Sequence, residues 1–215
     1  MIEFHYKTKI MNKCSTCKQI IKKQKKETLL FIDGENFKHK LGAVYHVHGK
    51  SKPEWHCYNF KGLLDKVLLG FQIDRTVFYF AKIKEHPETK EKSKQLIESQ
   101  RLLKTSLERQ GFMIVLAGGV RGQREGDSVN PLIVFREKGV DVRIGVDMVS
   151  SACDEEASTI ILGSSDSDLQ PAIKETTKRG VGCVYLGFET NPNKGLSFTC
   201  KRTILIRDSE VFEFE

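Results

Sequence analysis

Leu29-Leu30-Phe31-Ile32-Asp33-Gly34-Glu35-Asn36 is the stretch on which the fold turns. Four consecutive apolar residues read as a strand buried on both faces, and Asp-Gly ends it. A strand of that kind belongs to a parallel sheet covered by helices on each side. Asn36 then opens a helix.

The rest of the chain repeats the alternation. Strands are expected at Thr76–Phe80, Phe112–Leu116, Ser158–Leu162, Val181–Leu186 and, shorter, Thr203–Ile206. Helices are expected at Gly62–Leu69, Ser93–Gln110, Asp141–Cys153 and Ser167–Arg179. In Ser93–Gln110, Leu96, Leu103 and Leu107 form an apolar stripe among charges. His46–Asn59 reads as a His-rich loop, and Gly118 as the start of a long polar loop carrying Arg121 and Arg124. The pattern predicts an α/β fold, a three-layer α/β/α sandwich on a mostly parallel central sheet. Residues 1–27 form a basic appendage and residues 28–215 the domain.

Charge sharpens this division. The chain carries a formal +7, and residues 1–28 hold eight lysines against Glu3 and Glu27, so the body is nearly neutral. Residues 75–124 are rich in Lys and Arg, whereas residues 125–175 hold eleven acids against four bases. Such basic segments suit a polyanion, and a concentrated acidic region suits a cation site; solvated surface lysines explain the first as well. No apolar run is long enough to span a bilayer, the first thirteen residues lack a secretory pattern, and six irregularly spaced cysteines read as reduced thiols. These features place the chain in the cytoplasm, away from membranes.

A second acidic cluster, Ile161-Leu162-Gly163-Ser164-Ser165-Asp166-Ser167-Asp168, also follows a core strand. Ligands of an open parallel sheet bind beyond the carboxyl ends of its strands, so both clusters share one edge. Asp-Gly is a common turn and Ser-Asp a common N-cap, and either alone reads as structural. Brought together, the carboxylates repel unless a cation neutralises them, and hard oxygen ligands suit Mg²⁺ or Mn²⁺. Lys138-Gly139-Val140-Asp141-Val142-Arg143-Ile144-Gly145-Val146-Asp147 adds two acids. Six helical residues turn about 600° and rise about 9 Å, so Asp141 and Asp147 diverge. Asp141 lies nearer the shared edge, and Asp147 is left to a supporting or solvated role.

Three ordered motifs, Phe31-Ile32-Asp33-Gly34-Glu35-Asn36, Lys138-Gly139-Val140-Asp141 with Val146-Asp147-Met148-Val149, and Ser164-Ser165-Asp166-Ser167-Asp168, resemble the NYN domain in its LabA-like branch. That family is related to PIN nucleases, and the likeness spans roughly Leu29 to Glu210. It implies a PIN-like fold and Mg²⁺- or Mn²⁺-dependent ribonuclease activity. Asp33, Asp141, Asp166 and Asp168 fall on its acidic positions as catalytic metal ligands, and Asn36 on a polar position beside the first. Ser165 stands where the family commonly has Gly, and Leu169 where it has Phe.

Lys82, Lys84, Arg121 and Arg124 lie on loops expected at the same edge, where they could hold RNA phosphates. Cys14-Ser15-Thr16-Cys17 has half the spacing of a zinc site, with its second half missing. His39, His46, His48 and His56 gather near the first motif, and Trp55, Tyr58 and Phe60 either stack bases or pin their loop. RNA is the expected partner, and a homo-oligomer stays open. The alternative to a nuclease is a catalytically weak RNA-binding and recruitment module of the same fold. A Toprim-like DNA-processing domain is disfavoured, since the leading strand-end acid is Asp33 rather than Glu35.

Overall fold

Leu29, Leu30, Phe31 and Ile32 are all 3% exposed or less, which requires cover on both faces of their strand. The computed structural model describes residues 25–85, 90–125 and 132–215, apart from the side chains of 121–125 and 132–137. Strand β1 (Glu27–Asp33) lies at the centre of a six-stranded sheet. Its neighbours are β2 (Arg75–Phe80) and β3 (Met113–Leu116) on one side, and β6 (Ala157–Gly163), β7 (Gly182–Phe188) and β8 (Arg202–Ile206) on the other. The order is β3-β2-β1-β6-β7-β8, and every pairing is parallel. The expected α/β sandwich on a parallel sheet is therefore what the chain forms.

Period-two alternation sorts β1 between two cores. Leu30 and Ile32 join one core beneath α1 (Gly34–Val47), α2 (Phe60–Val67) and α3 (Lys90–Arg109). Leu29 and Phe31 join the other beneath α4 (Val140–Cys153), α5 (Gln170–Lys178) and α6 (Lys194–Thr199). A short α7 (Asp208–Val211) packs with α1 and α2. Tyr58 and Phe60 are fully buried in the first core, so they anchor their segment and offer no face to a base.

Two readings of the sequence need correcting. Helix α1 continues to Val47 and takes in His46, so the loop is confined to residues 48–59. The segment after Gly118 is not a polar loop but an antiparallel hairpin, β4 (Gly119–Glu125) paired with β5 (Leu132–Lys138). Charged residues and Gly122 mask the strand pattern in β4, yet pairing in register across seven residues satisfies the N–H and C=O groups that face β5. The hairpin leaves and rejoins the body through Gly118 and Gly139, at φ +65° and +89°. A Cβ on Gly118 would strike the Lys138 carbonyl.

Among the described residues, no helix is long and apolar enough to cross a membrane. Cys14 and Cys17 lie outside the described residues.

Candidate functional site

Between β1 and β6 the strand order changes direction, and in open parallel sheets ligands bind in the crevice at that point. Two aspartates stand there for local reasons. Asp33, the last residue of β1, caps α1 by accepting the Asn36 N–H at 3.1 Å. Gly34 is needed behind it, since a Cβ there would run into the Phe80 ring. Asp166 caps the 3₁₀ turn Ser167–Leu169 by accepting the Asp168 N–H at 2.9 Å, and its own N–H donates to Ser164 Oγ at 3.2 Å.

The two caps are tied to each other. Asn36 Oδ1 accepts from the Ser165 N–H at 3.0 Å and from the Ser165 hydroxyl at 2.9 Å. A glycine at position 165 would supply only the first. On the far side, Asn193 Nδ2 donates to the Ser165 carbonyl at 2.8 Å, while Asn193 Oδ1 caps α6. Ser165 is thus clamped from both sides immediately before Asp166.

An open depression of about 670 Å³ is lined by Asp33, Glu35, His39, Lys138, Asp141 and Asp166, among others. Asp141 enters it from the first turn of α4. Burial raises the Asp33 pKa from 3.8 to about 6, and Asp166, Glu35 and Asp141 push in the same direction against the Asn36 N–H. The negative charges are offset in part by three helix starts, those of α1, α4 and the turn leading into α5, whose N-termini favour anions. At α4 the cap is Gly139, which supplies no side-chain acceptor, so first-turn N–H groups stay available to an outside anion.

Of the sequence-derived candidates, Asp33, Asp141 and Asp166 come together in this depression, with Asn36 beside them. Asp168 does not line it; its side chain is exposed, and its backbone serves Asp166. Asp147 lies elsewhere on α4, accepting from the Tyr79 hydroxyl at 3.0 Å and from Arg143 Nε at 2.9 and 3.0 Å. Lys82 and Lys84 are exposed after β2 and do not line the depression. Arg121 and Arg124 lie on β4, with side chains outside the described residues. Glu35, His39 and Lys138 were not singled out as site residues by spacing, although the first two follow Asp33 and Asn36 along one helix.

The donor set fits a hard divalent cation. Four carboxylates, those of Asp33, Glu35, Asp141 and Asp166, line a shared, solvent-open space, and burial, with a smaller push from the other three, holds Asp33 above its ordinary pKa. Among the described residues no three His, Cys, Asp or Glu side chains converge closely enough to hold an ion by themselves. Mg²⁺ and Mn²⁺ are commonly held by one or two carboxylates, with waters or phosphate oxygens completing the shell, which this open arrangement allows.

Comparison with known proteins gives the chain a family. The NYN domain family matches residues 27–207, and the chain belongs to it. NYN domains have the PIN-like nuclease fold and are generally ribonucleases. A crystal structure of a protein of unknown function from Vibrio parahaemolyticus has the same fold, at 19% identity and a TM-score of 0.55. The match covers 84% of this chain and 93% of that one. No curated protein matches the sequence.

Proposed function

We propose that this chain is a metal-dependent ribonuclease of the LabA-like branch, with Asp33, Asp141 and Asp166 as carboxylate ligands of Mg²⁺ or Mn²⁺. One observation carries the reading: a nearly buried carboxylate, Asp33, faces three other carboxylates at the switch point of a parallel sheet. Only the Asn36 N–H answers it among the described residues. A metal ion, when bound, supplies hydroxide near neutral pH and neutralises charge on the phosphate.

The chain's own groups then do the positioning. Lys138 and the uncapped start of α4 line the depression and offer donors and positive potential to the scissile phosphate. Asn36 and Asn193 fix Ser165, which orients Asp166. Lys82, Lys84, Arg121 and Arg124 would contact the RNA backbone farther from the scissile bond. Asp168 acts through its N–H, and Asp147 through the seating of α4. The same reading places the protein in the cytoplasm with RNA as its partner.

The test is cleavage of labelled single-stranded and structured RNA with Mn²⁺, Mg²⁺ or EDTA, beside Asp33→Asn and Asp166→Asn. Cleavage that needs metal and is lost in both variants is expected. Tight RNA binding without cleavage under any metal would replace the enzyme with a recruitment module of the same fold.

A further inference from the structure

A second cavity, of about 340 Å³, adjoins the carboxylate depression, and Glu35 lines both. Five segments build it: α1, the 48–59 loop, the stretch after β2, the middle of α3 and the start of β4. Its walls are chiefly apolar, with Trp55, Ile83, Leu102 and Val120. Trp55 is held in place, its indole edge-on to Tyr45 at 6.3 Å and to Tyr58 at 6.0 Å between centroids. Both of those rings are buried, so the indole is a fixed wall rather than a loose side chain.

Glu35, Lys38, Glu54, His56, Ser99 and Gln100 break the apolar lining, and two of them, Gln100 and Lys38, bear on what the cavity can hold. Gln100 Nε2 donates to the Ala81 carbonyl at 2.8 Å, which fixes the amide. Its Oε1 has no hydrogen-bond partner among the described residues. Lys38 reaches the boundary between cavity and depression, where its Nζ lies 2.8 Å from Glu35 Oε1 and 5.8 Å from the Phe80 ring centroid.

We propose that this cavity seats one nucleobase of the RNA strand, next to the scissile phosphate. The ligand class rests on the ribonuclease reading; the cavity itself does not. A base presents flat apolar faces and a polar edge, and pockets for it combine aromatic or aliphatic walls with a few edge contacts. Trp55 and Leu102 answer the faces, and Gln100 Oε1 answers an amino or imino donor. Lys38 meets a backbone phosphate crossing from the cavity to the carboxylates. A purely aliphatic ligand would leave Gln100 Oε1 unanswered behind an apolar group, which disfavours it.

Trp55 is the protein's single tryptophan, so its fluorescence reports on this cavity directly. The full-length protein is titrated in EDTA with AMP, CMP, GMP and UMP, and separately with ribose 5-phosphate and hexanoate. Saturable changes with at least one nucleotide, and none with ribose 5-phosphate, are expected. Leu102 is 40% exposed, so Leu102→Glu places a charge on the wall at a site open to water. That variant should bind roughly ten- to a hundredfold more weakly, the loss of one stacked base, while Leu102→Ile stays near wild type.

Equal responses to ribose 5-phosphate, or a stronger one to hexanoate, overturn the base assignment. Unresponsive emission in a protein that still cleaves RNA with Mn²⁺ overturns the cavity and spares the nuclease. Nucleotide binding at Trp55 in a protein that cuts no RNA does the reverse.

Discussion

Two aspartates flank Tyr79 and are used in opposite ways. Asp33 is the register partner of Tyr79 in the sheet, and Asp147 is its hydrogen-bond partner on α4. Asp147 has the Tyr79 hydroxyl and Arg143 on its oxygens, so its charge is answered inside the protein. Arg143 in turn is held above its usual pKa by that pairing. Asp33 is more buried, takes one backbone N–H, and faces three more carboxylates. A carboxylate with its donors in place fastens structure, whereas one left short of donors among its own kind is destabilised unless a proton or a cation neutralises it.

The comparison breaks most visibly in catalysis. Asp33→Asn should lower metal-dependent RNA cleavage by about two orders of magnitude or more, the scale on which charge stabilisation at a reacting phosphate acts. Asp147→Asn should leave cleavage within several-fold of wild type and instead lower the melting temperature, since removing a charged partner costs about 1–3 kcal/mol. Rates and melts of both variants check this together. Equal catalytic losses would erase the distinction between them.

Stability in EDTA sharpens the contrast through its sign. The folded-state pKa of Asp33 is about 6, against 3.8 for an ordinary aspartate. From about pH 4 to 6 the folded chain keeps a proton that the unfolded chain has released, so stability falls as pH rises through that window. Holding that carboxyl at about 6 instead of 3.8 corresponds to about 3 kcal/mol in full at pH 7. Asp33→Asn should therefore be more stable than wild type at pH 7 without metal, and equal to it near pH 4. Denaturant melts across the window measure it; a less stable variant at pH 7 would show that Asp33 is already paired. Mn²⁺ should raise the melting temperature of wild type and Asp147→Asn, and leave Asp33→Asn unmoved.

How much of this was legible in sequence differs from residue to residue. Strand β1 and the place of Asp33 at its carboxyl end were, because an unbroken apolar run closed by Asp-Gly reads as a strand of a covered parallel sheet. Asp141 was separated from Asp147 by helical rotation together with its place nearer the shared edge. The antiparallel pair of β4 and β5 was missed, since glycine and charge in β4 hide a pairing that only the backbone partner in β5 explains. Asn193 sits on a loop after β7, 28 residues from the serine it holds, and local pattern carries no trace of that contact. The Trp55 cavity was invisible for the same reason, being assembled from five separate segments.

Asp168 is the finest test, because spacing and geometry disagree about it. Two acids separated by one residue read as a paired ligand set, and the NYN likeness puts both on acidic positions. The 3₁₀ turn instead spends the Asp168 N–H on the Asp166 carboxylate and leaves the Asp168 side chain exposed, outside the depression. Asp168→Asn preserves that N–H and removes only a charge from the surroundings of the ion. Its cost in cleavage should stay near tenfold, as for groups that support a ligand from behind, and its Mn²⁺ affinity should fall by no more. Asp166→Asn should lose at least ten times more activity than Asp168→Asn. Should the two variants fall together, the turn must swing Asp168 inward when metal binds, and the pair would then act as the spacing suggests.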